Sequence, residues 1–109
     1  MQALTPYNRF QFVASIAERE TLRYTPAGIP VVSARLLHRS HQQEAGIQRS
    51  VEFEISALAV GEISGRFNDA ALDGIFHFTG FLARRNRNSK SLVFHIAEFE
   101  VTNFDSDTL

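Results

Sequence analysis

The 109-residue sequence predicts a single all-β domain in which five strands close into a small barrel. Apolar and polar residues alternate with a period of two in five separate runs, as in strands with one buried face. Segments rich in Gly, Pro, Asn and Asp separate most of these runs, as expected of turns. The chain has ten Phe and no Cys, so the core is expected to rest on packed aromatic rings, without disulfides or thiolate metal sites.

The first three runs show the alternation most clearly. In the first, RFQFVASIA, the residues of the apolar face are Phe10, Phe12, Ala14 and Ile16. The turn signal TPAGIP precedes the second run, whose apolar face is Val32, Ala34 and Leu36, with Val31, Ser33, Arg35 and Leu37 on the other. In the third, SVEFEIS, one face carries Val51, Phe53 and Ile55, and the other carries Glu52 and Glu54. Each run is therefore predicted to be a half-buried strand.

The segment between the third and fourth strands predicts a short, weak helix or one irregular turn. Ile63 and Phe67 have helical spacing, but Gly61 and Gly65 lie close by. Each glycine inside a helix costs about 1 kcal/mol relative to alanine. A long, stable helix is therefore not expected here.

The fourth and fifth strands complete the set. GIFHFTGFL places Phe76, Phe78 and Gly80 on one face. SLVFHIAEFEV aligns Leu92, Phe94 and Ile96, whereas Phe99 and Val101 are out of phase with them. A bulge near Ala97–Glu98 would restore the apolar face. We expect one domain over residues 1–109, with an ordered core at about 8–103 and frayed ends at 1–7 and 104–109.

Five strands with a short helical connection between the third and fourth are the order of an OB-fold barrel. The pattern alone leaves SH3-like barrels and small sandwiches open. OB folds bind oligonucleotides on the face of strands 2 and 3 and in the loops that join strands 1–2 and 4–5. The position of charged residues relative to those loops therefore bears on function.

Four cations lie within seven residues of the segment ARRNRNSK, and no acid lies among them: Arg84, Arg85, Arg87 and Lys90. The rest of the chain carries seven basic and twelve acidic residues, a formal charge of −5. Such a run is often a solvated loop, but clustered cations also bind phosphates. Because this run falls between the predicted fourth and fifth strands, we interpret it as a phosphate-binding loop.

The segments RYTPAGIPV and LLHRSHQQEAGIQRSVEFEISALAVG resemble the primosomal replication protein N (PriB-type) family in order and spacing. NRFQF, FTGFLARR and SLVFHIAEFEV extend the resemblance over residues 8 to 102. The resemblance implies a homodimeric OB fold related to bacterial single-stranded-DNA-binding proteins. It implies a role in replication restart, in which the protein binds single-stranded DNA, stabilises the PriA helicase and passes the complex to the next primosome component, DnaT. Such proteins are not enzymes.

Site residues follow from the matched positions. The resemblance implies basic DNA contacts at Arg23 and Arg39, and in the loop that carries Arg84, Arg85, Arg87 and Lys90. Better-known members have base-stacking aromatics where this chain has Ile47 and Glu52. Because stacking contributes about 1–3 kcal/mol per base, their loss leaves binding more electrostatic.

Several of these residues have structural alternatives. Arg35 and Arg39 can instead pair across strands with Glu52 or Glu54, and the two glutamates can mark a protein-binding surface. Tyr24, Phe81 and Phe94 could stack on bases, but strand phenylalanines more often form core or dimer contacts. Tyr24, which we place in a loop beside Arg23, is the best stacking candidate.

Other function classes have less support. His38 and His41 suggest only a weak metal site, and no Walker A, G-x-S-x-G or H-E-x-x-H motif occurs, so we expect neither cofactor, metal nor catalysis. No signal peptide or membrane-length apolar run is visible, and we expect a cytoplasmic protein. Two binding alternatives remain: a general single-stranded-DNA-binding protein, and an OB-fold protein-interaction adaptor with weak or vestigial DNA binding.

Overall fold

The computed structural model describes residues 3–102 and contains six strands and one short helix in that range. The elements are β1 (Phe10–Arg19), β2 (Arg23–Tyr24), β3 (Pro30–Glu44), β4 (Ile47–Val60), α1 (Ile63–Asn68), β5 (Ile75–Arg84) and β6 (Leu92–Val101). The residues predicted to fray at the C-terminus, 104–109, lie outside the described range, as do residues 1, 2 and 103. Residues 3–9 form no strand.

Five strands close into a barrel in the order β1–β5–β6–β4–β3, and β3 pairs back with β1. Strand β1 closes the barrel because it has two partners. Its first part, Phe10–Ser15, pairs with β5, and the part from Ser15 to Arg19 pairs with β3 across an irregularity between Ile16 and Glu18. This topology confirms the predicted five-stranded OB-fold barrel.

The two-residue strand β2 was not predicted, and the placement of Tyr24 in a loop was wrong. Arg23 and Tyr24 pair with Val31 and Pro30 of β3. A turn makes this possible, because Thr25 N donates to Ile29 O at 2.9 Å and the amide of Gly28, with φ +85°, donates to Thr25 O at 2.8 Å. A strand of two residues is too short to show the alternation of apolar and polar residues by which strands are predicted from sequence.

The barrel interior is filled mainly by phenylalanine rings. The buried ones are Phe12, Phe67, Phe76, Phe78, Phe94 and Phe99. Many meet edge to face, as Phe12 and Phe94 do with ring centroids 5.1 Å apart, and such pairs contribute about 0.5–1.5 kcal/mol beyond area burial. Phe94 is fully buried, which excludes it as a base-stacking residue, whereas Phe81 is exposed outside the core.

The predicted bulge near Ala97 is present. Gly80 pairs with Ile96 and Thr79 with Glu98, so Ala97 is the extra residue on β6. The bulge shifts the alternation by one position, which buries Ile96 and Phe99 together. Opposite this point the strands approach closely, because a Cβ on Gly80 would lie 1.9 Å from His95 O.

The predicted short helix is also present as α1, only six residues long. Arg19 of β1 holds its C-terminal end by donating to Phe67 O at 3.0 Å and Ala70 O at 2.6 Å. These two hydrogen bonds tie the end of the helix and the turn that follows it to β1. Within residues 3–102 no helix has the length and apolar character needed to cross a membrane.

Strands β3 and β4 form a long hairpin that pairs from Val31–Val60 to Glu44–Ile47. Its two-residue turn, Ala45–Gly46, has φ values of 54° and 76°, as a type I′ turn requires. Residues 41–50 are all exposed, so this outer part of the hairpin is covered by no other described element. We call residues 39–52 the ribbon.

Candidate nucleic-acid interface

A polar groove of about 220 Å³ lies on the outer face of β3 and β4, between the end of β1 and the β5–β6 loop. It is lined by Glu18, Glu20, Ser33, Ala34, Arg35, Ser56, Ala57, Leu58, Arg85 and Val93. Arg85 contributes from the loop, and the other arginine, Arg35, from the middle of β3. The second and third strands predicted for the OB fold are β3 and β4 of the structure. The cationic loop and the binding face expected of an OB fold therefore share one groove.

The β5–β6 loop is a closed turn held by its own polar residues. Arg85 N donates to Ser91 O at 3.0 Å, and Ser89 N donates to Asn86 O at 3.1 Å. The Asn86 side chain accepts from Asn88 N at 2.9 Å. These bonds use the backbone and the short polar side chains, which leaves the cationic side chains exposed to solvent. Arg84, predicted within the loop, is instead the last residue of β5 and pairs with Leu92.

In the part of the chain that the structure describes, the cations of the loop differ from most others on the surface in lacking acidic partners. Four arginines form ion pairs with glutamates: Arg35, Arg39, Arg49 and Arg66. Within residues 3–102, no acidic side chain forms an ion pair with Arg84, Arg85, Arg87 or Lys90. An anionic ligand can therefore approach these four groups without displacing a carboxylate.

Arg39, predicted as a DNA contact with cross-strand pairing as its alternative, does pair across the strands. Its Nε lies 2.9 Å from Glu52 Oε2, and the side chains are 69% and 62% exposed. Such exposed pairs contribute about 0–1 kcal/mol, so Arg39 could exchange its carboxylate for a phosphate at little cost. Because alternate strand residues share a face, Arg39 and the groove arginine Arg35 lie on one side of β3.

Arg35 is bound more fully, by two glutamates. Its guanidinium contacts Glu18, and its Nε lies 3.4 Å from Glu54 Oε2. We predicted the partner on β4 but not Glu18, which comes from a different part of the chain. Since β1 and β3 pair in the register Glu18–Arg35, barrel closure brings the two together. Alternation within a strand gives no signal of such a long-range contact.

Arg23 lies beside the groove, and Tyr24 follows it on β2. Arg23 Nη1 donates to Ser33 Oγ, a groove residue, at 2.8 Å. Tyr24 is 68% exposed. The short strand β2 thus places the Arg23 cation at the end of the groove at which Ser33 lies, whereas alternation directs Tyr24 to the opposite face of the strand.

His38, considered above as a weak metal ligand, is engaged within the fold. One ring nitrogen, Nδ1, lies 2.7 Å from Val13 O, and the other, Nε2, lies 2.8 Å from Ser40 Oγ. Its ring also packs on Phe53, with centroids 4.8 Å apart. His41 contacts Ser50 on the ribbon at 3.4 Å. The His38 and His41 rings therefore contact different protein groups and share no common partner among the described residues.

Sequence comparison links the chain to single-strand binding proteins. A family model described as "Another single-strand binding protein family" matches residues 8–98. The replication restart protein PriB of Nitrosomonas europaea is 40% identical over 96 residues, which cover 86% of this chain and 89% of that protein.

Structural comparison agrees. PriB from Ralstonia solanacearum superposes with a TM-score of 0.78 at 42% identity, over 86% of this chain and 96% of that chain. A single-stranded DNA binding protein from Thermus aquaticus, at 18% identity, shares the fold with a TM-score of 0.69, over 87% of this chain and 50% of that one. The chain therefore belongs to the PriB family of OB-fold relatives of the single-strand binding proteins.

Proposed function

We propose that this protein binds single-stranded DNA in replication restart and that phosphates bind along the cationic loop, the groove and the ribbon. The observation that carries this proposal is the set of four exposed loop cations that have no acidic partner among residues 3–102, one of which also lines the groove. Arg23 and Arg39 extend the contact surface at either side, and Tyr24 offers a ring on which a base can stack.

The role in restart rests on relatives that are named replication restart proteins. As part of the same proposal, the protein stabilises the PriA helicase on DNA, hands the complex to DnaT and acts as a homodimer without catalysis. The open side of β1 supports dimer formation, since in the described structure Phe10–Ala14 pair with β5 alone. Sedimentation measurements in the DNA-binding buffer test the dimer.

The decisive experiment is a titration of labelled polythymidine with the wild type and with Arg84→Ala/Arg85→Ala/Arg87→Ala. Each phosphate contact to single-stranded DNA contributes about 0.7 to the slope of log K against log salt. The four loop contacts alone therefore weaken binding about 50-fold between roughly 50 and 200 mM salt. In the triple variant only Lys90 remains of the loop cations, so the part of the salt dependence that the loop contributes should fall to about threefold over the same range.

Arg87→Ala and Arg66→Ala make a matched pair for this test. Each removes one exposed arginine, but Arg66 lies on α1 and is paired with Glu98 at 2.5 Å. Only Arg87→Ala should weaken DNA binding and reduce the salt slope. If the wild type bound no DNA, or if both variants bound as tightly as the wild type, the phosphate-binding assignment would be wrong.

A protein-interaction adaptor is the second candidate, because glutamates line or flank the same surface. Glu18 and Glu20 line the groove, and Glu52 lies on the ribbon. A helicase-binding assay with and without DNA separates the two functions. Binding to the helicase together with undetectable DNA affinity would favour the adaptor.

A further inference from the structure

An aromatic pair lies on the outer face of the barrel, outside the phenylalanine core. Phe81 of β5 and His95 of β6 are direct cross-strand neighbours. Their rings stack with centroids 4.8 Å apart and an interplanar angle of 7°. Phe81 is 43% exposed, although Phe76 and Phe78 on the inner face of the same strand are buried. The core does not explain this pair.

The pair borders the groove described above. His95 is opposite Leu58 in the β4–β6 register, and Leu58 lines the groove. Val93, another groove residue, lies two positions before His95 and so on the same face of β6. Arg85 begins the loop one residue after β5 ends, about 13 Å beyond Phe81 at roughly 3.3 Å per residue. A strand that crosses the loop can therefore reach the rings.

The charge around the pair suits a nucleic acid. Phe10 pairs with Gly80 and the Asn8 side chain bonds to the backbone of Leu82, so Arg9, between them, lies beside Phe81 on the remaining side. Cations thus lie on two sides of the rings, Arg9 at one and Arg85 at the other. Other described aromatics with comparable or greater exposure are Tyr7 and Tyr24, neither of which lies on a strand that leads into the loop.

We propose that the Phe81–His95 pair is a stacking platform for a base of the same strand whose phosphates the loop binds. This inference rests on the proposed function. A ring face accepts any base, and the adjacent cations bind the backbone, which is the combination that sequence-tolerant single-strand binding uses. The platform would supply stacking that Ile47 and Glu52, which have no rings, cannot provide.

Phe81→Leu tests the platform by removing the ring and keeping an apolar side chain at an exposed position. One stacked base contributes about 1–3 kcal/mol, which corresponds to a loss of about 5- to 150-fold in affinity for polythymidine. Because stacking releases no counterions, the salt slope should stay at the wild-type value. Arg87→Ala should instead reduce the slope.

Phe81→Trp gives a second, direct readout, because the chain contains no tryptophan of its own. DNA that stacks on the introduced indole should quench its fluorescence. Ile75→Trp is the matched control: Ile75 lies on the same strand and, by alternation, the same face, is 39% exposed, and is about 20 Å further from the loop. Its fluorescence should change little when DNA binds.

The outcomes separate this inference from the proposed function. If the wild type binds DNA, Arg87→Ala weakens it, and Phe81→Leu has no effect, the platform is refuted and the phosphate loop stands. If Phe81→Leu leaves DNA affinity unchanged and alters the molecular mass in solution, the rings contact a second copy and the platform is again refuted. If the wild type binds no single-stranded DNA, both proposals fail.

Discussion

Glu52→Gln tests whether the ribbon contacts DNA, because it breaks the ion pair between Arg39 and Glu52. The substitution removes one negative charge and keeps the side-chain length. Both partners are more than 60% exposed, so the lost pair should change the free energy of unfolding by no more than about 1 kcal/mol. The fold should therefore persist, and any change in DNA binding reflects the freed Arg39 guanidinium.

The size of the expected change follows from the single cation released. One added phosphate contact raises the salt slope by about 0.7. Near 0.1 M salt this corresponds to about fivefold tighter binding, because the added contact multiplies the association constant by the molar salt concentration raised to the power of about −0.7. Fluorescence anisotropy of a labelled polythymidine strand at several salt concentrations measures both quantities.

Glu98→Gln is the matched control for this experiment. It makes the same chemical change in another exposed arginine–glutamate pair, Arg66–Glu98, on the helix side of the barrel. Its DNA affinity and salt slope should match those of the wild type. If Glu52→Gln and Glu98→Gln bound DNA equally well with equal slopes, Arg39 would have no role in phosphate binding.

Three further results are expected. Gly80→Ala should destabilise the barrel by about 1–3 kcal/mol or more in urea unfolding, because its Cβ would meet His95 O at 1.9 Å; unchanged stability would contradict this close approach. Ile47→Trp, at a position 69% exposed on the ribbon, should restore a stacking ring and tighten polythymidine binding about fivefold or more, and an unchanged titration would place the ribbon outside the DNA path. The hydrogen bond from Arg66 holds the pKa of Glu98 below its usual range, so this pair stabilises the fold above the unfolded-state pKa and loses its effect as pH falls through the folded pKa. Glu98→Gln should therefore be less stable than the wild type at neutral pH, and the difference should shrink as pH falls through the folded pKa of Glu98; a difference that did not change in acid would rule out this linkage.

The barrel could be predicted from sequence because its strands carry local signals. Phe53 and Phe78 alternate with polar neighbours, and the change of phase near Ala97 is itself the signature of the bulge. The groove could not be predicted in the same way, because its walls meet only when the barrel closes. Glu18 reaches Arg35 through the β1–β3 pairing, and Arg85 reaches the β3–β4 face through the turn of its loop. These are contacts between distant segments, which periodicity does not encode.

Some surface cations are paired with glutamates, whereas the described residues give the loop cations no acidic partner. This difference limits how strongly DNA binding can depend on salt concentration. Arg35 and Arg39 must release glutamates before they bind a phosphate, so each exchange swaps one anion for another and gains little. The loop cations meet DNA directly, and four contacts give a slope of about 2.8 per chain. A measured slope well above that value would mean that Arg23 also binds a phosphate or that DNA displaces Glu18, Glu52 or Glu54 from their arginines. A slope near 2.8 would mean that the loop alone provides the electrostatic attraction, and affinity beyond it would then have to come from stacking on the exposed rings.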